Sequence, residues 1–142
     1  VFILDNLNQD TLGLALSDYA QTELKVFQNK YDEAMVMLDS ILSEYKENSL
    51  LDDVLYLQAN ILNKQKKTEE AIQKYNKIIE NHKEEIRADN ALFELAKIYD
   101  YQLSQKEKAM SLYEKLFLDY SGSVLAIEAR QRFRKLRGDA VQ

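Results

Sequence analysis

The residues of this 142-residue chain that could carry acid–base chemistry are mostly carboxylates, 24 in all. It has no cysteine, so thiolate nucleophiles, disulfides and thiolate metal sites are excluded. His82 is the single histidine. Tyr45 and Tyr120 fill the corresponding places elsewhere in the chain, so His82 is expected to pack between helices. The carboxylate pairs Asp52-Asp53, Glu69-Glu70 and Glu84-Glu85 fall at expected helix starts or turns. Acids there favour the positive end of the helix dipole and do not make a general acid–base pair. No glycine-rich phosphate loop, zincin helix, EF-hand loop or N-glycosylation triplet occurs. The expectation is a protein that is not an enzyme, with no cofactor and no metal site.

Binding chemistry is better represented. Tyr19, Tyr56 and Phe93 recur at an even step of 37 residues, and the next step reaches Arg130. One helical turn further on lie Glu23, Asn60, Lys97 and Arg134. Aromatic rings beside mixed polar groups suit recognition of a peptide or a helix. The competing reading puts Tyr56 and Phe93 in the core. Two basic clusters accompany this row. Lys64-Gln65-Lys66-Lys67 reads as a solvated turn. In the cluster Arg130, Arg132, Arg134, Lys135 and Arg137, three residues (Arg130, Arg134, Arg137) share one helix face. That face reads as a solvating cap, or as a contact for an acidic protein or for the chain's own acidic half. The net charge of −5 argues against nucleic acid as a partner.

The elements that position these residues follow from composition and periodicity. Proline is absent and only three glycines occur, which favours helices over strands and turns. With 46% hydrophobic and 30% charged residues, one domain can bury a core and stay soluble. No apolar run approaches the roughly 20 residues of a membrane span, so direct membrane insertion is not expected. Charge is polarised: residues 1–60 carry 11 acids and 3 bases, 61–120 carry 11 of each, and 121–142 carry 2 acids and 5 bases.

Internal repetition supplies the architecture. Ala34, Met35, Leu38, Ile41, Leu42 and Tyr45 share their offsets with Ala71, Ile72, Tyr75, Ile78, Ile79 and His82. Ala109, Met110, Tyr113, Leu116, Phe117 and Tyr120 repeat them again, at steps of 37 and then 38 residues. The spacing is that of one helix face. Each such helix B has a helix A upstream. Leu55, Ala59 and Leu62 mark the second and Leu92, Leu95, Ala96 and Tyr99 the third. Tyr19, Ala20, Leu24 and Phe27 are the apolar positions of the first. The connecting turns are expected at residues 28–31, 65–68 and 103–106. The last holds one extra residue, which accounts for the longer step.

This pattern resembles the tetratricopeptide repeat (TPR) family over roughly residues 10–137. The large–small–large order of TPR helix A is met by Leu55, Ala59, Leu62 and by Leu92, Ala96, Tyr99. Helix B is met by Ala71, Tyr75, Ile78 and by Ala109, Tyr113, Leu116. Unit one departs with Thr22, Lys25 and Leu38, and the closing-proline positions hold Lys46, Lys83 and Ser121. The lengthened units and the closing segment 119–133 are similar to bacterial envelope TPR proteins, such as the Tol-Pal system TPR protein and the outer-membrane assembly TPR lipoprotein. The resemblance implies an all-α, right-handed solenoid of three helix-turn-helix repeats (about 11–46, 50–83 and 87–121) and a cap helix at 124–137. It implies a non-catalytic scaffold that binds a protein or peptide in a concave groove lined by helix A. It also implies a Gram-negative periplasm or envelope location, with a cytoplasmic protein or a structural spacer as the alternatives.

The two ends complete the reading. Ser123 is an expected N-cap and Gly138 an expected left-handed stop for the cap helix, with 138–142 as a tail. Phe133 falls one 37-residue step after Ala96, a place where a large side chain fits if no helix B follows. At the other end, Val1-Phe2-Ile3-Leu4 is apolar. The chain opens without methionine, and residues 1–9 are expected to be the remnant of an upstream segment of a longer protein. That face is expected to pack on the first hairpin or to drive self-association.

Overall fold

A computed structural model describes the backbone of residues 2–45, 50–81 and 87–139, and within these the side chains of 13–45, 50–80 and 87–139. Its elements are α1 (Phe2–Phe27), α2 (Tyr31–Glu44), α3 (Leu51–Lys64), α4 (Thr68–Asn81), α5 (Arg87–Lys97), α6 (Lys106–Asp119) and α7 (Ala126–Arg137). A π-helical turn (Ile98–Gln102) extends α5. Helices pack on their sequence neighbours, as stacked repeats must. The result is an all-α helical-repeat solenoid of three hairpins, α1–α2, α3–α4 and α5–α6, closed by α7. His82, Glu84 and Glu85 lie outside the described residues.

The hairpins form because each helix has one apolar face and can bury it only on its neighbours. Ala34, Ala71 and Ala109 on the B helices are fully buried, as are Thr22, Ala59 and Ala96 on the A helices. Small residues at these repeated positions let backbones approach closely. Tyr75, Ile78, Leu92, Leu95, Tyr113 and Leu116 fill the space around them. In unit one Thr22 takes the alanine place, and its hydroxyl donates to the Asp18 carbonyl at 2.9 Å. That bond inside the helix satisfies a polar group that would otherwise be costly to bury.

Unit one departs from the expectation in its apolar face. Ala20, Leu24 and Phe27 point to solvent, and α1 packs instead through Ala15, Tyr19, Thr22 and Val26. The true face keeps the 37-residue register with Leu55, Ala59 and Leu62, and that register assigns Asp18, Thr22 and Lys25 to helix B. α1 also runs unbroken from Phe2, so residues 2–9 are its first turns.

Each A helix ends in the same way. Asn29, Lys66 and Ser104 have positive φ, at 60°, 66° and 52°. After α3 the Lys66 N–H donates to the Asn63 carbonyl and the Lys67 N–H to the Leu62 carbonyl, at 3.1 and 2.9 Å. This is a Schellman closure, and α1 repeats it with Asn29 and Lys30. Helix B then begins two residues after the left-handed residue in all three units. The extra residue of unit three is therefore not in the turn. It lies between Ala96 and Ser104, where the π-helical turn absorbs it. The Leu103 N–H reaches the Ile98 carbonyl at 3.0 Å, and the Gln105 N–H reaches the Tyr99 carbonyl at 2.8 Å. A π-turn adds one residue without breaking the helix.

α7 starts at Ala126, two residues later than expected. The Ser123 Oγ accepts the Leu125 N–H at 3.1 Å, and its carbonyl accepts the Ala126 N–H at 3.1 Å. Val124 and Leu125 therefore form a turn ahead of the helix. The same hydroxyl donates to Asp89 Oδ2 at 2.6 Å and ties that turn to α5. Gly138, at φ 96°, closes α7 as expected.

A left-handed lysine costs about 1 kcal/mol relative to glycine. Lys66→Gly should therefore raise stability by up to about 0.5 kcal/mol once the freer unfolded chain is counted. Lys66→Val should lower it by at least as much, and thermal denaturation of the two variants checks both signs.

Candidate interaction groove

Two A helices present the same aromatic arrangement. The Tyr56 ring meets Tyr75 edge-on at 6.1 Å between centroids, and the Phe93 ring meets Tyr113 at the same distance and angle. Each B-helix phenol is then held by a polar residue of helix A. The Tyr75 hydroxyl donates to Asn60 Oδ1, and the Tyr113 hydroxyl donates to Asp100 Oδ2 at 2.9 Å. The π-turn explains the change of partner, because it brings Asp100 to the phenol where unit two uses Asn60.

Cations cover the ring faces. The Arg87 guanidinium lies 5.1 Å from the Tyr56 ring centre, and its Nε bonds Asp53 Oδ1 at 2.6 Å. Lys97 Nζ lies 4.9 Å from the Phe93 centre and 3.0 Å from Glu94 Oε1. Arg132 lies 4.7 Å from the Tyr101 centre and grips Asp100 with two bonds, of 2.5 and 2.8 Å. A planar guanidinium on a carboxylate is a strong, directional contact. Here the carboxylate side chain is only 3% exposed.

Two cavities open along the row of A helices. One, of about 320 Å³, is lined by Phe93, Lys97 and Tyr101 from the α5 side, Tyr113 of α6, and Glu128, Gln131, Arg132 and Lys135 of α7. The other, of about 340 Å³, is lined by Val26 of α1, by α3 residues including Asn60 and Lys64, by Tyr75, and by Glu94 of α5. Glu94 and Lys97 form the ion pair between them.

The expected groove residues divide accordingly. Asn60, Phe93 and Lys97 line the cavities. Tyr19 is half-buried on the same row, and Glu23 is exposed beside it. Burial pushes the Tyr19 phenol up to about 12, and the Glu23 and Asp53 carboxylates add to the effect. Tyr56 is half-buried, and its phenol is raised first by burial and then by Glu94. Phe93 is 7% exposed, so it is mainly a core residue with one edge in the groove.

Arg130 and Arg134 do not belong to the groove. The step from α5 to α7 is 38 residues, so Ala88, Ala91 and Leu95 correspond to Ala126, Ala129 and Phe133. A one-residue error turns a helix by about 100°. Gln131 and Lys135 take the places of Phe93 and Lys97, while Arg130 and Arg134 take those of Leu92 and Ala96, which face helix B. Phe133 likewise holds the place of Leu95, not Ala96, and its ring packs edge-on against Phe117 at 5.4 Å. Arg130 lies over Phe117 at 5.2 Å.

Residues missed by the sequence reading are Asp53, Arg87, Asp100, Tyr101, Glu128, Gln131 and Lys135, together with the individual role of Arg132. The available signal was that Arg132 stands off the Arg130–Arg134–Arg137 face. Among the described residues, no group of three or more His, Asp or Glu side chains is placed to hold a metal ion. None of their helices is long and apolar enough to cross a membrane.

A row of A helices, each paired with a helix B and repeated along the chain, defines a helical-repeat protein. The tetratricopeptide repeat family model matches residues 53–84 and 90–123, which cover most of hairpins two and three. These repeats generally mediate protein–protein interaction and are typically non-catalytic. No curated protein matches the chain.

Removing Arg132 leaves a nearly buried carboxylate without its cation. Arg132→Ala should therefore destabilise the fold by about 3 kcal/mol, with the loss greatest in α7 by hydrogen exchange. Burial alone would raise the Asp100 carboxyl, but hydrogen bonds from Arg132 and Tyr113 outweigh it and hold it below the usual carboxylate range. A depressed folded-state value stabilises above the unfolded value of about 3.9 and is lost as pH falls through the folded one. The stability gap between wild type and Asp100→Asn should therefore shrink below about pH 4, as measured by urea unfolding across pH.

Proposed function

We propose that this chain is a non-catalytic recognition module that takes a peptide or helix of a partner protein along its A-helix groove. The observation that carries the reading is the pair of cavities along the A helices, one lined by Phe93, Lys97 and Tyr101 and the other by Asn60, Lys64 and Tyr75. Each is bordered by side chains that offer both an apolar surface and a charge. Arg87, Lys97 and Arg132, held over the Tyr56, Phe93 and Tyr101 rings, place charge beside apolar surface. Asn60, Gln131, Lys135, Glu94 and Glu128 supply the polar rim that sets register. The lengthened repeat steps support a parent protein of the bacterial envelope scaffold type.

The test is a variant that alters the groove and spares the core: Lys97→Glu with Gln131→Glu and Lys135→Glu. The chain and the variant are immobilised, envelope extract is passed over both, and retained proteins are identified and purified. The expected result is a partner whose affinity falls at least about tenfold, roughly 1.4 kcal/mol, for a variant of unchanged helicity. A partner bound equally by both, or no partner at all, would return the chain to a structural spacer.

A further inference from the structure

The side chains that line the two groove cavities do not share the sign of the chain. The chain carries a net charge of −5, whereas the linings hold four cations (Lys64, Lys97, Arg132 and Lys135) and two acids (Glu94 and Glu128). Two of the cations are engaged. Arg132 is gripped by the buried Asp100, and Lys97 lies 3.0 Å from Glu94. Lys64 and Lys135 are exposed and make no ion pair among the described residues.

The three lysines form one strip. α3, α5 and α7 each contribute one, in the last helical turn. Lys135 takes the place of Lys97 one repeat on. Lys64 stands one turn beyond Asn60, which holds that place in α3. The helix dipole favours a lysine in the last turn on any side of a helix, but here all three line the cavities. The acids near the opposite ends of these helices are mostly engaged: Asp53 with Arg87 and Asp89 with Ser123. Glu128 makes no ion pair among the described residues. It stands seven residues before Lys135, about 10 Å away along α7.

Apolar surface lies beside each lysine. Phe93, Tyr101 and Tyr113 line one cavity, and Val26, Leu57 and Tyr75 line the other. Tyr101 is 62% exposed, so a large ring stands in solvent at the edge of the first cavity. An apolar side chain seated there would gain from burial whatever its orientation, and lysine stems add methylenes to the same surface. Charge then selects the partner. A carboxylate beside Lys64 or Lys135 pairs a charge that has no partner, whereas a cation there is repelled. Glu128 acts in the opposite sense and keeps acids toward the lysine strip.

We propose that the groove takes an internal, acidic segment of a partner protein, with large apolar side chains seated in the cavities and side-chain carboxylates on Lys64, Lys97 and Lys135. The inference rests on the groove reading above and adds to it the sign and the anchor type of the partner. Three cations spread over three A helices and two cavities match several side-chain carboxylates. One terminal carboxylate can occupy only one cavity at a time.

The probe is a displayed library of random dodecapeptides selected on the whole chain. Enriched sequences are synthesised with both ends capped and titrated by fluorescence anisotropy. The titrations use wild type, Lys64→Glu, Lys97→Glu/Lys135→Glu and the milder Lys97→Gln/Lys135→Gln, all checked for wild-type helicity. The expected peptides carry acids on both sides of a large apolar residue. Their affinity should fall at least about tenfold on the charge-reversed double variant, less on the glutamine variant, and about fivefold between low and high salt. Replacing the apolar residue of the peptide by alanine should cost about tenfold as well. Neutral or basic peptides whose binding the lysine substitutions alter overturn the acidic assignment and leave the groove reading standing. Peptides of any charge that wild type and all three variants bind equally overturn both. Binding that needs a free terminal carboxylate, an all-glutamate peptide that binds as tightly, or a library without enrichment each overturns the proposal.

Discussion

Close approach of helix A to helix B is the constraint on which the architecture depends. It is met by pairs of small buried residues: Thr22 with Ala34, Ala59 with Ala71, and Ala96 with Ala109 as the positions that recur in each unit. With those positions small, the large side chains Tyr75, Ile78, Leu92, Tyr113 and Leu116 are free to interdigitate around them. Everything on the A-helix row follows from this. The B-helix tyrosines reach past the alanines, stack on Tyr56 and Phe93, and place their hydroxyls against Asn60 and Asp100. The groove is thus the far side of the core, and the same aromatic residues serve both. A large residue at Ala59 or Ala96 would separate the helices and dismantle the stack from beneath.

Much of this was legible because periodicity is robust to local detail. Six helix-B positions of unit two recur at the same offsets in unit three, and the helices, their order and the A–B pairing all follow from that repetition. What sequence spacing could not show was where within a unit an extra residue goes. A count of 38 is equally consistent with a longer turn and with a bulge in the helix. Only backbone geometry, with Ser104 left-handed and Lys106 beginning α6 just as Lys66 and Thr68 do in unit two, puts it in the π-turn. The cap helix suffered most from the ambiguity. Carrying a step of 37 to α7 rotates it by one residue, exchanging Gln131 and Lys135 for Arg130 and Arg134. Unit one failed for a different reason: its solvent-facing Leu24 and Phe27 are more apolar than the residues it buries, so hydrophobicity pointed the wrong way round the helix.

The π-turn links these observations to the electrostatics of the groove. By lengthening α5 it brings Asp100 within reach of both Tyr113 and Arg132. Asp100 then fastens α7, which no helix B follows among the described residues, to the last hairpin. Ser123 does the same just ahead of α7 by bonding Asp89. Two acids of the α5 segment therefore hold the cap at its start and at its middle. Neither contact is visible from hydrophobic pattern, because both are made by polar residues whose partners lie more than 30 positions away.

The polar face of α1 gives the molecule a mechanical polarity. The register assigns Asp18, Thr22 and Lys25 to helix B in the first hairpin, where the others use leucine, alanine or tyrosine, while the C-terminal end is fastened by a bidentate ion pair. A linear array whose units hold only their neighbours comes apart from its weaker end. Tension along the axis, or the unfoldase of a protease, would meet a chain that unravels from the first hairpin toward the cap. The last hairpin would remain folded longest.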